Sequence, residues 1–220
     1  MSETMARICP AEGRSAAGED PAKRRQILEG AKRVFVSTGF DAASMNDITR
    51  ESGVSKSTLY VYFRSKEELF HALIAEEREA YFADIEELLV DAGRPDVTLR
   101  RFAQRLFDLM LSPEAMTAKR TVIAVASRMP ELGREFYRRG PMRGLALVAE
   151  FIRRASELGT LKVEDHELAA SQFIELATAG VLRRRFFDDQ APPLSASERD
   201  RIVDAAVRVF MAAYGPDRRD

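Results

Sequence analysis

Three residues, Gly53-Val54-Ser55, are all that separates two short helical runs, and no other feature of this chain restricts its fold as tightly. The first run opens at Ser44, a plausible N-cap three residues before Asp47, and carries Met45, Ile48 and Ser52 at helical spacing up to Gly53. The second opens with Ser55 as a new cap and covers residues 56–63. A linker this short forces the two rods to cross steeply, the arrangement of a helix-turn-helix.

The elements on either side follow the same logic. Ile27, Ala31, Val34 and Phe35 recur at spacings of three and four from Ala22 until Gly39 breaks the run, which predicts a first helix. Arg64-Ser65 caps a fourth, predicted from Lys66 to about Asp91, with Leu69, Leu73, Tyr81, Ile85 and Leu88 toward neighbours and EEREA and DIEE on the wet side. Beyond Gly93-Arg94-Pro95, further helices are expected at about 97–111, 113–128, 141–158, 166–187 and 197–214, with Pro113, Pro130, Pro141 and Pro192-Pro193 at their margins. No alternating β-branched runs bounded by turns occur, and no internal repeat is evident. The expected fold is all-α: residues 1–21 as a flexible tail, 22–68 as a three-helix helix-turn-helix domain, and 69–220 as a larger helical bundle joined to it by the long fourth helix.

On a wheel of about 100° per residue, Leu59, Tyr62 and Phe63 converge on one side of the helix at 56–63. Ser57 and Val61 lie opposite, flanked by Thr58 and Tyr60. Such a thinly anchored rod of about 12 Å fits a DNA major groove, where hydroxyls meet base edges and an exposed valine meets thymine methyls. Ser57, Thr58 and Val61 suit that task. Lys56 and Ser55 at the helix start, Tyr60 and Tyr62 on its flanks and Lys66 on the next helix start are placed to donate to phosphates. Charge agrees with this. The whole chain has a net charge of −1, yet residues 22–66 hold nine Lys/Arg against four Asp/Glu, a surplus of five that the remaining residues outweigh.

Other chemistries lack their residues. One cysteine, Cys9, excludes an internal disulfide framework and points to a reducing, cytoplasmic setting. No signal-peptide pattern and no run of about 18 apolar residues occurs, so neither export nor a membrane partner is expected. His71 and His166 are the only histidines, and no nucleotide-binding, metal-binding or nucleophile-elbow spacing is found, so no metal, no cofactor and no catalytic residues are expected.

The run ILEGAKRVFVSTGFDAASMNDITRESGVSKSTLYVYFRSKEELFHALI strongly resembles the DNA-binding domain of TetR-family transcriptional regulators. Its marks include Ala31 to Phe35, Gly39-Phe40, Ile48, Gly53-Val54-Ser55, Thr58-Leu59-Tyr60, Tyr62-Phe63 and Ser65 to Leu69. The resemblance implies that Ser44, Met45 and Asn46 approach the DNA backbone, that Lys56, Ser57, Thr58 and Tyr60 meet bases or phosphates, and that Tyr62 and Lys66 hold phosphates. Many relatives carry histidine where Tyr62 stands. SRMPELGREFYRRGP (127–141) and ELGTLKVEDHELAASQF (157–173) resemble the C-terminal domain of the AefR-like subgroup.

Members of this family hold a small-molecule cavity in the second domain. That implies an effector pocket drawing on Phe102, Phe107, Met110, Met116, Met129, Phe136, Met142 and Phe151, whose soft apolar side chains suit an apolar or amphipathic effector. The last two long helices are apolar over more than one face, through Phe173, Leu176, Ala177, Gly180 and Val181 on one and Ile202, Ala206, Val209 and Phe210 on the other, and are expected to make a homodimer. The expected function is a repressor released from a palindromic double-stranded DNA operator by a small effector. A helical enzyme or ligand carrier that retains the fold is the competing reading, and a DNA binder with a filled core a third.

Overall fold

The computed structural model describes residues 19–188 and 190–216, and of residues 77–81, 83 and 84 the backbone alone. The expectations for Cys9 and for nearly all of the tail at 1–21 lie outside these residues, as does the side chain of Tyr81. Among the described residues every regular element is helical, and the chain forms two compact units, one ending at Ala72 and the other beginning at Leu73.

In the first unit, α1 (Pro21–Thr38) starts on the Asp20 cap with proline at its first position and stops at Gly39, whose φ of 77° suits a residue without a Cβ. The next helix, α2 (Met45–Ser52), has a full capping box: the Asp47 N–H donates to the Ser44 hydroxyl, and the Asp47 carboxylate accepts from the Ser44 N–H. It ends at Gly53 in the left-handed conformation, φ 67° and ψ 20°. Then come α3 (Lys56–Tyr62) and the start of α4 (Lys66–Leu88), where the Ser65 hydroxyl accepts from the Glu68 N–H. Ile27, Leu28, Ala31, Val34 and Phe35 from α1 are buried, as are Ile48, Leu59, Phe63 and Leu69 from the elements that follow. Phe35, Phe40 and Phe70 form an aromatic trio with centroids 5.2–5.6 Å apart. Each such ring contributes about 1.5–3 kcal/mol by leaving water.

The second unit contains the rest of α4, then α5 (Pro95–Met110), α6 (Pro113–Val125), α7 (Pro130–Tyr137), α8 (Arg143–Glu157), α9 (His166–Thr178), α10 (Val181–Phe187) and α11 (Ala196–Tyr214). Its core is drawn from α4, α5, α8, α9 and α11. The rings of Phe102, Phe173, Phe210 and Tyr214 run through it in file at 6.2, 5.2 and 4.9 Å. Ala169, Ala170 and Ala177 line the buried side of α9 and let its neighbours approach closely.

Two expectations change here. Pro130 stands at a helix margin as expected but opens α7, a helix not foreseen between 128 and 141, and Pro141, expected at a margin, lies inside a π-helical turn at Arg138–Met142 that carries the chain into α8. The wider turn spares the clash a proline ring makes in a regular α-helix. The single helix expected at 166–187 is two, parted at Ala179 (φ 21°) and Gly180 (φ 79°).

Candidate DNA-binding face

The position of α2 is set from α1. Gly30 lets the two helices touch, since a Cβ there would fall 2.8 Å from the backbone nitrogen of Ser52. Gln26 Nε2 donates to the Ser52 carbonyl at 2.7 Å, and Arg33 reaches both the carboxylate and the carbonyl of Glu51 at 2.6 and 3.0 Å. Carbonyls in the last turn of a helix have no partner within it, so these donors satisfy groups that would otherwise need water. Sequence reading missed this clamp. Its spacing, Gln26, Gly30 and Arg33 on one face of α1, was available, but the acceptors it serves become apparent only in three dimensions.

From that base α3 projects with little cover. Leu59 is fully buried and Phe63, at its C-terminal cap, nearly so, while Tyr62 is half-buried and accepts from the Asp20 N–H through its hydroxyl at 3.2 Å. Outward stand Ser55, Lys56 and Ser57, with Tyr60 at 44% and Val61 at 53% exposure, and Thr58 half-covered. At the start of α2, Ser44 and Asn46 are exposed and Met45 half-buried. The Ser55 hydroxyl accepts from the Thr58 N–H at 3.1 Å and lies 2.9 Å from Ser57 Oγ and 2.7 Å from Thr58 Oγ1, so the three hydroxyls form one cluster.

The local positive charge is less freely available than a count of residues implies. Arg33 pairs with Glu51 and Arg50 with Asp47, and the Lys23 ammonium donates to Gln26. Lys66, expected to hold a phosphate, instead donates to the carbonyls of Phe40, Asp41 and Ala43 at 2.9, 3.0 and 3.1 Å. Lys56 keeps its charge exposed at the first turn of α3 and makes no ion pair among the described residues. The Asp47 carboxyl is held below the ordinary Asp range, first by the hydrogen bond from the Ser44 hydroxyl and then by Arg50.

In the second unit, the residues expected to line an effector pocket divide by burial. Phe102, Phe107, Met116 and Phe151 are closed into the interior, with the Phe102 ring tilted against Phe173; Met110, Met129 and Phe136 are half-buried; Met142 stands exposed on the π-helical turn. Phe102 and Phe151 therefore serve packing first, because their faces are already taken by side chains of the core.

The expected dimer residues divide similarly. Phe173, Ala177, Ala206 and Phe210 belong to the unit's own core, so they are not offered to a partner. Leu176, Val181 and Ile202 are half-buried, Val209 is 53% exposed, and Gly180 is exposed at the break before α10 rather than inside a helix. Among the described residues no cluster of three or more His, Cys, Asp or Glu could hold a metal ion, and no helix is long and apolar enough to cross a membrane.

Residues 27–73 match the family described as bacterial regulatory proteins, tetR family, and residues 97–216 match the one described as AefR-like transcriptional repressor, C-terminal domain. A helix-turn-helix transcriptional repressor of Mycobacterium tuberculosis is 41% identical over 58 residues, a match covering 26% of this chain and only 31% of that protein. The regulator UidR of Escherichia coli is 26% identical over 183 residues, covering 82% of this chain and 90% of its own. A solved TetR-family regulator from Mesorhizobium loti superposes with a TM-score of 0.82 at 31% identity, covering 88% of this chain and 97% of that one. The flavonoid-responsive regulator FrrA gives 0.73 at 28% identity, over 90% and 99%. A small unit that offers a thinly anchored α3 and a second unit of the AefR-like type thus coincide with two family matches along one chain, and the chain belongs to the TetR family of DNA-binding transcriptional regulators, which are not enzymes.

Proposed function

We propose that this regulator is a homodimeric repressor that reads a palindromic operator through α3 and leaves it when a small apolar or amphipathic effector binds the second unit. The observation that carries the reading is the lopsided burial of α3: Leu59 and Phe63 are its anchors, while Lys56, Ser57, Tyr60 and Val61 are left to solvent. Hydroxyls and one valine match base edges and thymine methyls, and Lys56 and Tyr60 match phosphates. Residues 22–68 would form the reading domain and 69–220 the effector and dimer domain. Ser44, Met45 and Asn46 would meet the DNA backbone, and a protein that binds an operator works in the cytoplasm, where the DNA is.

The effector reading draws on the half-buried Met110, Met129 and Phe136 and the buried Phe107 and Met116, side chains that reshape without loss of polar bonds. The name of FrrA, flavonoid-responsive, supports an aromatic, amphipathic class of ligand. Converting a mostly bound population to a mostly released one takes about 5.5 kcal/mol of preference between states. At about 25 cal/mol per Å² that is roughly 220 Å² of apolar surface buried in one state and not the other, within reach of a flat two- or three-ring compound. α4, continuous from Lys66 to Leu88, is the element through which a change around the effector would reach the start of the reading domain.

A gel-shift and thermal-shift experiment tests this. The purified protein is titrated against fragments from upstream of its own gene and its neighbours, with and without a panel of flavonoids and other apolar compounds. A shift on a palindromic fragment, reversed by a compound that also raises Tm, is expected. A compound that raises Tm while leaving operator affinity unchanged would refute release by effector, and failure to shift any fragment would refute the operator reading.

A further inference from the structure

An ammonium group has three N–H donors, and in Lys66 all three end on backbone carbonyls: Phe40 at 2.9 Å, Asp41 at 3.0 Å and Ala43 at 3.1 Å. The same group sits 4.8 Å from the centroid of the Phe40 ring. That ring is buried against Phe35 and Phe70, so the cation is docked on a fixed surface. The three carbonyls belong to the turn between Gly39 and Ser44, and Ser44 is the cap on which α2 begins. Lys66 itself is the first residue of α4.

We infer that Lys66 is a positioning residue for DNA reading, a staple that fixes the turn before α2 to the start of α4, and that it supplies no phosphate contact of its own. The inference rests on the operator-binding reading above. Three carbonyls converging on one point repel one another, and a cation with three donors between them offsets that repulsion and satisfies all three at once. Their capture fixes where the backbone enters Ser44, and with it the orientation of Ser44, Met45 and Asn46 at the edge of the proposed face. A phosphate could recruit this ammonium only by displacing one of the three carbonyls, of which those of Phe40 and Ala43 belong to buried residues and that of Asp41 to an exposed one. Lys56, exposed and without an ion pair among the described residues, is the contrasting cation.

The two roles separate in a salt titration. Each lysine that neutralises a phosphate contributes about 0.9 to the slope of log affinity against log salt. Full-length wild type, Lys66→Met and Lys56→Met are titrated against operator DNA at several salt concentrations, below the Tm of every variant, and melted separately. Lys66→Met keeps an apolar side chain on Phe40 and removes the charge together with its three donors. It is expected to lower Tm by about 5 °C or more, to weaken binding about tenfold, and to leave the salt slope unchanged. Lys56→Met is expected to reduce the slope and spare Tm.

Combining Lys66→Met with Asn46→Ala should cost less than the two changes separately, as expected if Lys66 acts through the start of α2. A reduced slope in Lys66→Met, with or without a change in Tm, would establish a phosphate contact and overturn the inference. Wild-type Tm and affinity would overturn it too, as would strict additivity with Asn46→Ala. If Lys66→Met does not fold, Lys66→Arg decides: its planar fork keeps the charge but cannot direct three donors at one point, so Tm is expected to fall, and an unchanged Tm refutes the staple. If wild-type protein binds no DNA at all, the operator reading and the reading role of Lys66 fall together, while Tm still reports whether the staple holds the turn.

Discussion

A Cβ placed on Gly30 would lie 2.6 Å from the Cβ of Ser52 and 2.7 Å from its Cα, so α1 and α2 meet there with no side chain between them. The obstruction is partly backbone, which cannot swing aside. Gly30→Ala is expected to destabilise the protein by about 1–2 kcal/mol, because overpacking costs about 1–3 kcal/mol and the better helix propensity of alanine returns up to about 1. Urea unfolding followed by circular dichroism measures it, and a stabilised variant would mean that the helices part at no cost.

Positioning and specifying residues on α3 are expected to respond differently to substitution. Tyr60→Ala should weaken binding to all sequences alike, whereas Ser57→Ala and Thr58→Ala should change which bases are preferred by about 1–3 kcal/mol at the positions they face. Selection from a randomised operator pool distinguishes the two patterns. Unaltered preferences in both hydroxyl variants would move base reading to other residues.

On α11, Ile202, Ala205, Val209 and Ala212 recur at spacings of three and four on the side left at least partly open, while Val203, Ala206 and Phe210 face inward. Val209→Asp is expected to drive the protein toward monomer in sedimentation at little cost to the fold of each chain. Phe210→Ala, which removes a ring packed between Phe173 and Tyr214, should instead cost about 3–5 kcal/mol of stability. A Val209→Asp protein that remains wholly dimeric would exclude this stripe from the interface.

Acid should loosen α2 through its cap. The folded-state pKa of Asp47 lies below its unfolded value, through Ser44 first and Arg50 second. Its stabilisation is therefore fully present above the ordinary Asp range, about pH 4, and is lost as pH falls through the lowered folded value. Asp204, held down chiefly by its hydrogen bond to Arg100 between α11 and α5, adds a change of the same sign. In melts from neutral pH downward, Asp47→Asn should show a shallower loss of Tm on the acid side than wild type. Parallel curves would remove Asp47 from the account.

What could be read ahead of the structure was whatever the chain states locally. Ser44 with Asp47, Ser55 with Thr58, and glycines at 39 and 53 announce helix ends by chemistry confined to four residues, and those ends stand where expected. The break at Ala179-Gly180 was hidden because Leu176 and Val181 continue the apolar period across it. Pro141 was misread because proline marks a boundary unless a π-turn accommodates it. Phe173 and Phe210 looked like partner-facing residues because a helix with two apolar stripes does not say which one its own domain covers. The three carbonyl acceptors of Lys66 could not be foreseen, because they lie 23 to 26 residues away, beyond any local pattern.

The hydroxyl cluster at the start of α3 obeys a rule of proton conservation. Ser55 Oγ has one proton and two lone pairs, and the Thr58 N–H occupies one lone pair. One lone pair and one proton remain for two neighbours, so of Ser57 and Thr58 one donates inward and the other accepts. The one that donates inward shows only lone pairs to the outside, and the one that accepts keeps its proton free. Two adjacent positions on α3 thus carry opposite polarity, and exchanging them requires the hydroxyl protons of Ser55, Ser57 and Thr58 to turn together. The three hydroxyls form a single two-state element, so a ligand that fixes the proton of one fixes the other two.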